Sequence, residues 1–308
     1  MTDKMTAAQY KAEIERLKAE KKAVILAHYY VTDEVQEIAD YIGDSYYLAK
    51  VAKSSDAEVI LFAGVSFMGE SAKILNPDKK VLMPDLSADC AMAHMADAAT
   101  IKRMREEYED LAVVCYINST AELKCLSDVC VTSANALKIV NALPNKNIFF
   151  IPDGNLGRYV KEQASEKNVI LNSGYCPVHK DFDPTELAAL KAAHPNAKTA
   201  AHPECTEAIL SQADYIGSTS GIIDFSAKTD AKEIIVCTEQ GVGYTLRKEN
   251  PDKEFYFVGA KCVCADMKLN TLKTVYEALL NEESEVKVSD ETRAGALAPL
   301  DRMLELAK

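Results

Sequence analysis

Twelve residues fall into three sets of four whose types and spacing can do chemistry. His28 and Tyr30, Tyr116 and Asn118, and His202 and Glu204 are polar pairs spaced i, i+2. Seventeen residues after the first member of each pair stands a hydroxyl: Ser45, Ser133 and Thr219. Toward the end of each set comes a cysteine, Cys90, Cys176 and Cys264. Imidazole and carboxylate groups move protons near neutral pH. Hydroxyls at the start of helices, beside free amide N–H groups, suit carboxylates and phosphates. Three thiolates suit a metal. Zinc with three thiolates is one option, although structural zinc normally takes a fourth protein ligand from closely spaced pairs. A 4Fe–4S cluster on three cysteines is the other, and it leaves one iron open to act as a Lewis acid. Cys262 forms a C-x-C with Cys264 and reads as a bystander.

These residues must be positioned by something that repeats. ADYIGDS (39–45) returns as ADYIGSTS (213–220), with a weaker copy, DVCVTSAN (128–135), between them. Asp40, Asp128 and Asp214 mark a period of 88 and then 86 residues, so one unit is used three times. Within each unit, continuous apolar runs of strand length (AVILAH, LAVVCY, EIIVC) alternate with helical patterns. That alternation predicts parallel sheets covered on both faces. The expected fold is α/β: three pseudo-threefold-related three-layer α/β/α domains, at 1–97, 98–181 and 182–270. Helices over 271–308 are expected to pack outside the third domain or back onto the first. Packing around a threefold pseudo-axis would bring the strand ends, where parallel sheets bind ligands, to a central junction. Taken singly, Ser45, Ser133 and Thr219 read as helix N-caps; three equivalent hydroxyls facing a common centre read as ligand contacts.

Composition excludes several classes. The chain has 308 residues and is 48% hydrophobic, ample for several packed cores. A net charge of −12 argues against a nucleic-acid footprint. No apolar run reaches 18 residues and no signal-peptide core is present, so a cytoplasmic protein without a membrane span is expected. Nine cysteines then read as thiols. Cys115, Cys130 and Cys237 lie in strand-like runs as small buried hydrophobes, Cys125 and Cys205 have no evident task, and His94 and His194 are expected at the surface.

HYY at His28, IGDS at 42–45, YINS at Tyr116, VTSANA at Val131, GYCPVH at 174–179, AHPE at 201–204, GSTSG at Gly217 and CADMK at Cys264 together resemble the quinolinate synthase family. The resemblance spans about residues 24–306. It implies a triangular fold of three α/β domains around a 4Fe–4S cluster. It implies a transferase that condenses iminoaspartate with dihydroxyacetone phosphate, releasing phosphate and two waters, to give quinolinate for de novo NAD synthesis. An aspartate oxidase or dehydrogenase would supply the iminoaspartate. Carried over, Cys90, Cys176 and Cys264 would hold the cluster, Cys264 in the family's Cys-x-x-Met pattern. His28, Ser45, Tyr116, Asn118, Ser133, His179, His202, Glu204, Ser218 and Thr219 would contact substrate, with Tyr30, His28, His202 and Glu204 catalytic. One departure stands out: some members carry C-x-x-C-x-x-C near the third ligand, whereas this chain has only C-x-C, so a redox switch built on that run is not expected. A hydro-lyase or aldolase on the same open metal, or an iron–sulfur redox sensor, are the rival classes. A sensor has no use for three strand-end polar pairs, and a hydro-lyase needs no phosphorylated sugar.

Overall fold

The short apolar runs are strands, because a sheet flanked by helices offers its strands no wet face. A computed structural model describes residues 5–259 and 262–308. The first repeat runs α1 (Ala7–Glu20), β1 (Ala23–His28), α2 (Asp33–Glu37), β2 (Tyr41–Gly43), α3 (Ser45–Ser54), β3 (Val59–Ala63), α4 (Ser66–Leu75) and β4 (Lys80–Leu82). The second runs α5 (Ala98–Glu107), β5 (Leu111–Tyr116), α6 (Ala121–Cys125), β6 (Val129–Val131), α7 (Ala136–Ala142), β7 (Asn147–Ile151), α8 (Gly154–Gln163), β8 (Asn168–Leu171) and α9 (Pro177–Lys180). The third runs α10 (Pro184–Ala193), β9 (Lys198–Ala201), α11 (Glu207–Leu210), β10 (Tyr215–Ile216), α12 (Thr219–Lys228), β11 (Glu233–Cys237), α13 (Gly243–Glu249) and β12 (Glu254–Phe257). The tail is α14 (Leu272–Asn281) and α15 (Asp290–Leu306).

Each repeat forms one four-stranded sheet, and all three have the same order: β2-β1-β3-β4, β6-β5-β7-β8 and β10-β9-β11-β12. Every strand pair in them is parallel. The winding reverses between the first and third strands of each sheet, so each has a switch point where the strand ends open onto a crevice. The three aspartates that mark the repeat have one structural job. Asp40, Asp128 and Asp214 each accept a backbone N–H from the first strand of their sheet, from Ile25, Val113 and Thr199, at 2.8, 2.7 and 2.9 Å. Each returns its own N–H to the carbonyl of that same residue, at 3.0, 2.9 and 2.9 Å. Lys18, Arg105 and Lys198 lie 2.9 Å from the three carboxylates. This clip sets where the second strand begins beside the first, and hence where the strand-end residues fall.

The described chain divides into two compact units: Met1–Cys90 with Cys264–Arg293, and Ala91–Val263 with Ala294–Lys308. In the first, α14 packs on α1 and β3. The chain after α14 runs along the sheet edge, where Met83 N–H bonds Ser284 O and Val286 N–H bonds Val81 O, at 3.1 and 2.8 Å. That pairing covers the outer edge of β4, which would otherwise offer unpaired backbone groups. The second unit holds the other two sheets. Here the expected placement of α15 is corrected. From Ala294 on, α15 lies on the second repeat: Arg302 donates to Asp128 O at 3.2 Å, Lys138 donates to Ala307 O at 3.1 Å, and Gly295 faces Cys125 closely. Small Gly295 allows that approach, a signal that hydrophobic periodicity does not carry.

The N-cap reading of the three hydroxyls is also corrected. Asp44 caps α3, and Ser45 is its first helical residue. Ser218 caps α12, accepting from Gly221 N–H at 3.1 Å, and Thr219 follows it. Asn135 holds the cap position of α7, two residues past Ser133. His194 is not simply at the surface, since its ring stacks on Tyr256 at 3.7 Å and Nδ1 lies 2.9 Å from Glu233. His94 is exposed. Cys115, Cys130, Cys205 and Cys237 are fully buried, and Cys205 and Cys237 share the third repeat's core with Leu187, Ile209, Ile235 and Val258.

Candidate active site

The second unit gathers polar side chains at the carboxyl ends of its two sheets. Tyr116 ends β5, His202 and Glu204 follow β9, and Ser133 follows β6. Cys176 caps the single turn α9, which carries His179. The polar pairs are not two alternate residues of a strand, as expected. Each strand stops at or just before the first member, and the chain turns. His202 Nδ1 therefore accepts the N–H of Glu204 at 3.3 Å, and His28 Nδ1 accepts the N–H of Tyr30 at 3.2 Å. With Nδ1 an acceptor, the neutral ring carries its proton on Nε2. In His202 that Nε2–H reaches Ser133 Oγ at 3.1 Å, which ties the third repeat to the second.

Glu204 is the centre. It is 3% exposed, and its Oε2 accepts from His179 Nδ1 at 2.8 Å. Burial by itself would push its pKa up; the facing imidazoles of His202 and His179 and hydrogen bonds from His179 and Tyr116 outweigh that and hold it well below the usual carboxylate range. His202 is pushed the other way from a normal histidine, down to about 3, mainly by burial with His179 adding to it against the pull of Glu204. The pair at neutral pH is thus a carboxylate beside a neutral imidazole. Cys176 Sγ lies 3.2 Å from His179 Nδ1, and the donor atoms of Cys176, His179 and Glu204 all fall within 4.8 Å of one another, a set able to ligate a metal.

Two residues that sequence reasoning missed complete the surroundings. Thr238, just past β11, sits 2.9 Å from His179 Nε2 and fixes the ring's other side. Asp153, just past β7, is fully buried and bonds the backbone of Cys176 at 3.2 Å. Its pKa is raised by burial and by the charge of Glu204, against the N–H groups it accepts. Both stand at the end of a third strand, across the switch point from Tyr116 and His202, so the sheet order was the signal that would have found them. Buried polar atoms cluster at the ends of β5 and β6 as well: Asn118 Oδ1, Ser119 Oγ, Thr132 Oγ1 and Asn135 Nδ2 have no hydrogen-bond partner among the described residues. Such groups are rarely left unmet in a native protein, and they suit a polar small molecule or water.

In the first unit, His28 is buried and Tyr30 half-buried, their rings edge-on at 4.5 Å. Tyr30 O accepts from Lys268 Nζ at 2.5 Å. Ser45 is partly exposed at the start of α3. Cys90 and Cys264, both partly exposed, stand in loops that the Asp89 N–H joins to Asp266 Oδ1 at 3.1 Å. Cys262 packs against the third repeat's core instead, and burial raises its thiol pKa, with Asp181 and Glu186 adding to it. Cys90, Cys176 and Cys264 are partly exposed thiols outside the strands, unlike the buried Cys115, Cys130 and Cys237 inside them.

The comparisons agree with one another. The family model described as "Quinolinate synthetase A protein" matches residues 12–305. The chain is 54% identical to a quinolinate synthase of Fusobacterium nucleatum over 297 residues, covering 96% of this chain and 99% of that protein. It is 48% identical to one of Caldicellulosiruptor bescii, at 96% and 98% coverage, and 49% identical to one of Clostridium perfringens, again at 96% and 98%. Strand ends that carry a buried Glu–His pair, three repeats of one sheet, and matches that run nearly end to end make the chain a member of the quinolinate synthase family.

Proposed function

We propose that the chain condenses iminoaspartate with dihydroxyacetone phosphate to give quinolinate, phosphate and two waters. The carrying observation is the buried Glu204 carboxylate, hydrogen-bonded to His179 and set beside a neutral His202. Ring closure needs a proton removed from carbon, protons delivered to departing hydroxyls, and two substrate carboxylates held still. Glu204, ionised and dry, is suited to take the carbon-bound proton and later return one. His202, with its proton on Nε2, donates a hydrogen bond without adding a charge. Ser133, Ser218 and Thr219 stand at strand-to-helix turns, where hydroxyls and free N–H groups favour carboxylate and phosphate oxygens. His28 and Tyr30 supply the corresponding imidazole and phenol of the first repeat, and Ser45 its hydroxyl. Asn118 adds an amide beside Tyr116.

Cys90, Cys176 and Cys264 would hold a 4Fe–4S cluster, which supplies a Lewis acid for a leaving hydroxyl when bound. Among the described residues no helix is long and apolar enough to cross a membrane. Cytoplasmic placement, supply of iminoaspartate by an aspartate-oxidising enzyme, and the transferase class belong to the same proposal. Anaerobically purified protein, given both substrates, should form quinolinate and should carry about four irons and four sulfides per chain. Stoichiometric zinc without sulfide would remove the cluster, and quinolinate-free turnover would remove the reaction.

A further inference from the structure

Asp153 is fully buried and divides its two carboxylate oxygens between two tasks. Oδ1 caps α8, accepting the N–H groups of Asn155 and Leu156 at 2.8 Å each. Oδ2 turns the other way and accepts the N–H of Cys176 at 3.2 Å. The strip around it is laced to the same loop. Asp153 bridges Gly174, Gly154 N–H bonds Gly174 O at 2.8 Å, and Asn172 Nδ2 bonds Pro152 O at 2.7 Å. The two chains approach so closely that a Cβ on Gly154 would meet Asn172 O at 2.5 Å, and one on Gly174 would meet Pro152 O at 2.5 Å. A buried charge-capable group is costly to keep for helix capping alone, since a neutral serine or asparagine caps as well.

We propose that Asp153 is a positioning residue: its second oxygen fixes the backbone of Cys176, and so the aim of that thiol, independently of its capping of α8. The importance of this for a bound cluster rests on the ligand reading above; the clamp itself does not. Outer-shell partners of this kind commonly change metal retention by roughly 10–100-fold.

Asn at this position separates the tasks. Its carbonyl keeps the two 2.8 Å helix bonds, and its NH₂ then faces the Cys176 N–H, donor against donor. A flip would exchange two short bonds for one longer one. D153S is the second variant, because serine caps a helix but is too short to reach Cys176 as well. Hydrogen–deuterium exchange on cluster-free protein reads the clamp without any metal. In both variants, amides of 174–176 should exchange about tenfold faster than in the parent, the weight of one lost hydrogen bond. Amides of Asn155 and Leu156 should keep their protection, and the melting temperature should hold. In reconstituted protein, iron loss to a chelator should be about tenfold faster or more. Unchanged exchange at 174–176, or a variant that does not fold, overturns the proposal by making Asp153 a cap only. A parent protein that takes up no cluster while D153N still frees 174–176 would sink the ligand reading and leave the clamp standing.

Discussion

The first and third repeats build the same corner and load it differently. In both, a histidine at the strand end takes the N–H of the residue two further on through Nδ1, at 3.2 Å for His28 and 3.3 Å for His202. In both, an aspartate clip sets the register just below it. The differences lie in the second residue and in what surrounds it. Tyr30 is half-buried, and its carbonyl takes a lysine. Glu204 is sealed from water with two imidazoles against it, and His202 has Ser133 on its far nitrogen. Backbone geometry has been reused while the group at the tip has been changed: a phenol at the first corner, a buried carboxylate at the third.

The largest test of that contrast is E204Q against Y30F. Glutamine keeps the shape of Glu204 and cannot take a proton, so turnover should fall roughly 10²–10⁴-fold, with iron content and melting temperature retained. Y30F should cost at least tenfold less than E204Q, by the weight of about one hydrogen bond. Equal losses in the two proteins would mean that the corners are chemically equivalent. S133A comes next. Removing the partner of His202 Nε2 should slow turnover about tenfold, which corresponds to roughly 1.4 kcal/mol. A parent-like rate in S133A would show that the His202 ring is held without it.

Acid should sharpen the comparison further. His202 is depressed to about 3 in the folded state, against about 6.5 when unfolded. Between those values the unfolded chain binds a proton that the folded one does not. Stability is therefore highest above pH 6.5 and falls as pH drops toward 3, by up to about 1.4 kcal/mol per unit from this group. In denaturant melts of cluster-free protein, H202Q should show a shallower loss over that window than the parent. The smallest effect belongs to the clips. D214N loses an ionised acceptor with a lysine beside it and should cost about 1 kcal/mol of stability, leaving activity near that of the parent.

The repeat and its sheets were legible because a fully buried parallel strand reads as an unbroken apolar run; AVILAH, LAVVCY and EIIVC fall on β1, β5 and β11. The strand-end pairs were legible as positions but not as shapes. Periodicity says nothing about a chain that turns at His202, and the histidine–amide bond appears only once it does. Caps were misplaced by one or two residues because Asp44 and Ser218 compete with neighbouring hydroxyls for the same N–H groups. Asp153 and Thr238 were missed because a lone polar residue after a third strand has no counterpart at i+2 to draw notice. The landing of α15 on the second repeat depends on a glycine-sized gap beside Cys125, which no single segment encodes.

The aspartate clips also bear on how such a chain finds its fold. Each joins residues fifteen apart, Ile25 to Asp40, Val113 to Asp128 and Thr199 to Asp214. Loops of about that length close on the order of 10–100 ns, far sooner than a pairing between distant strands can form. Closure entropy grows only slowly with length, but it must be met before distant contacts repay it, which makes parallel sheets slow to assemble. Three local corners, each able to close without the others, give the chain three separate places to begin. The strand-end histidines lie three residues beyond the clipped positions in β1 and β9, so contacts local in sequence are enough to place them.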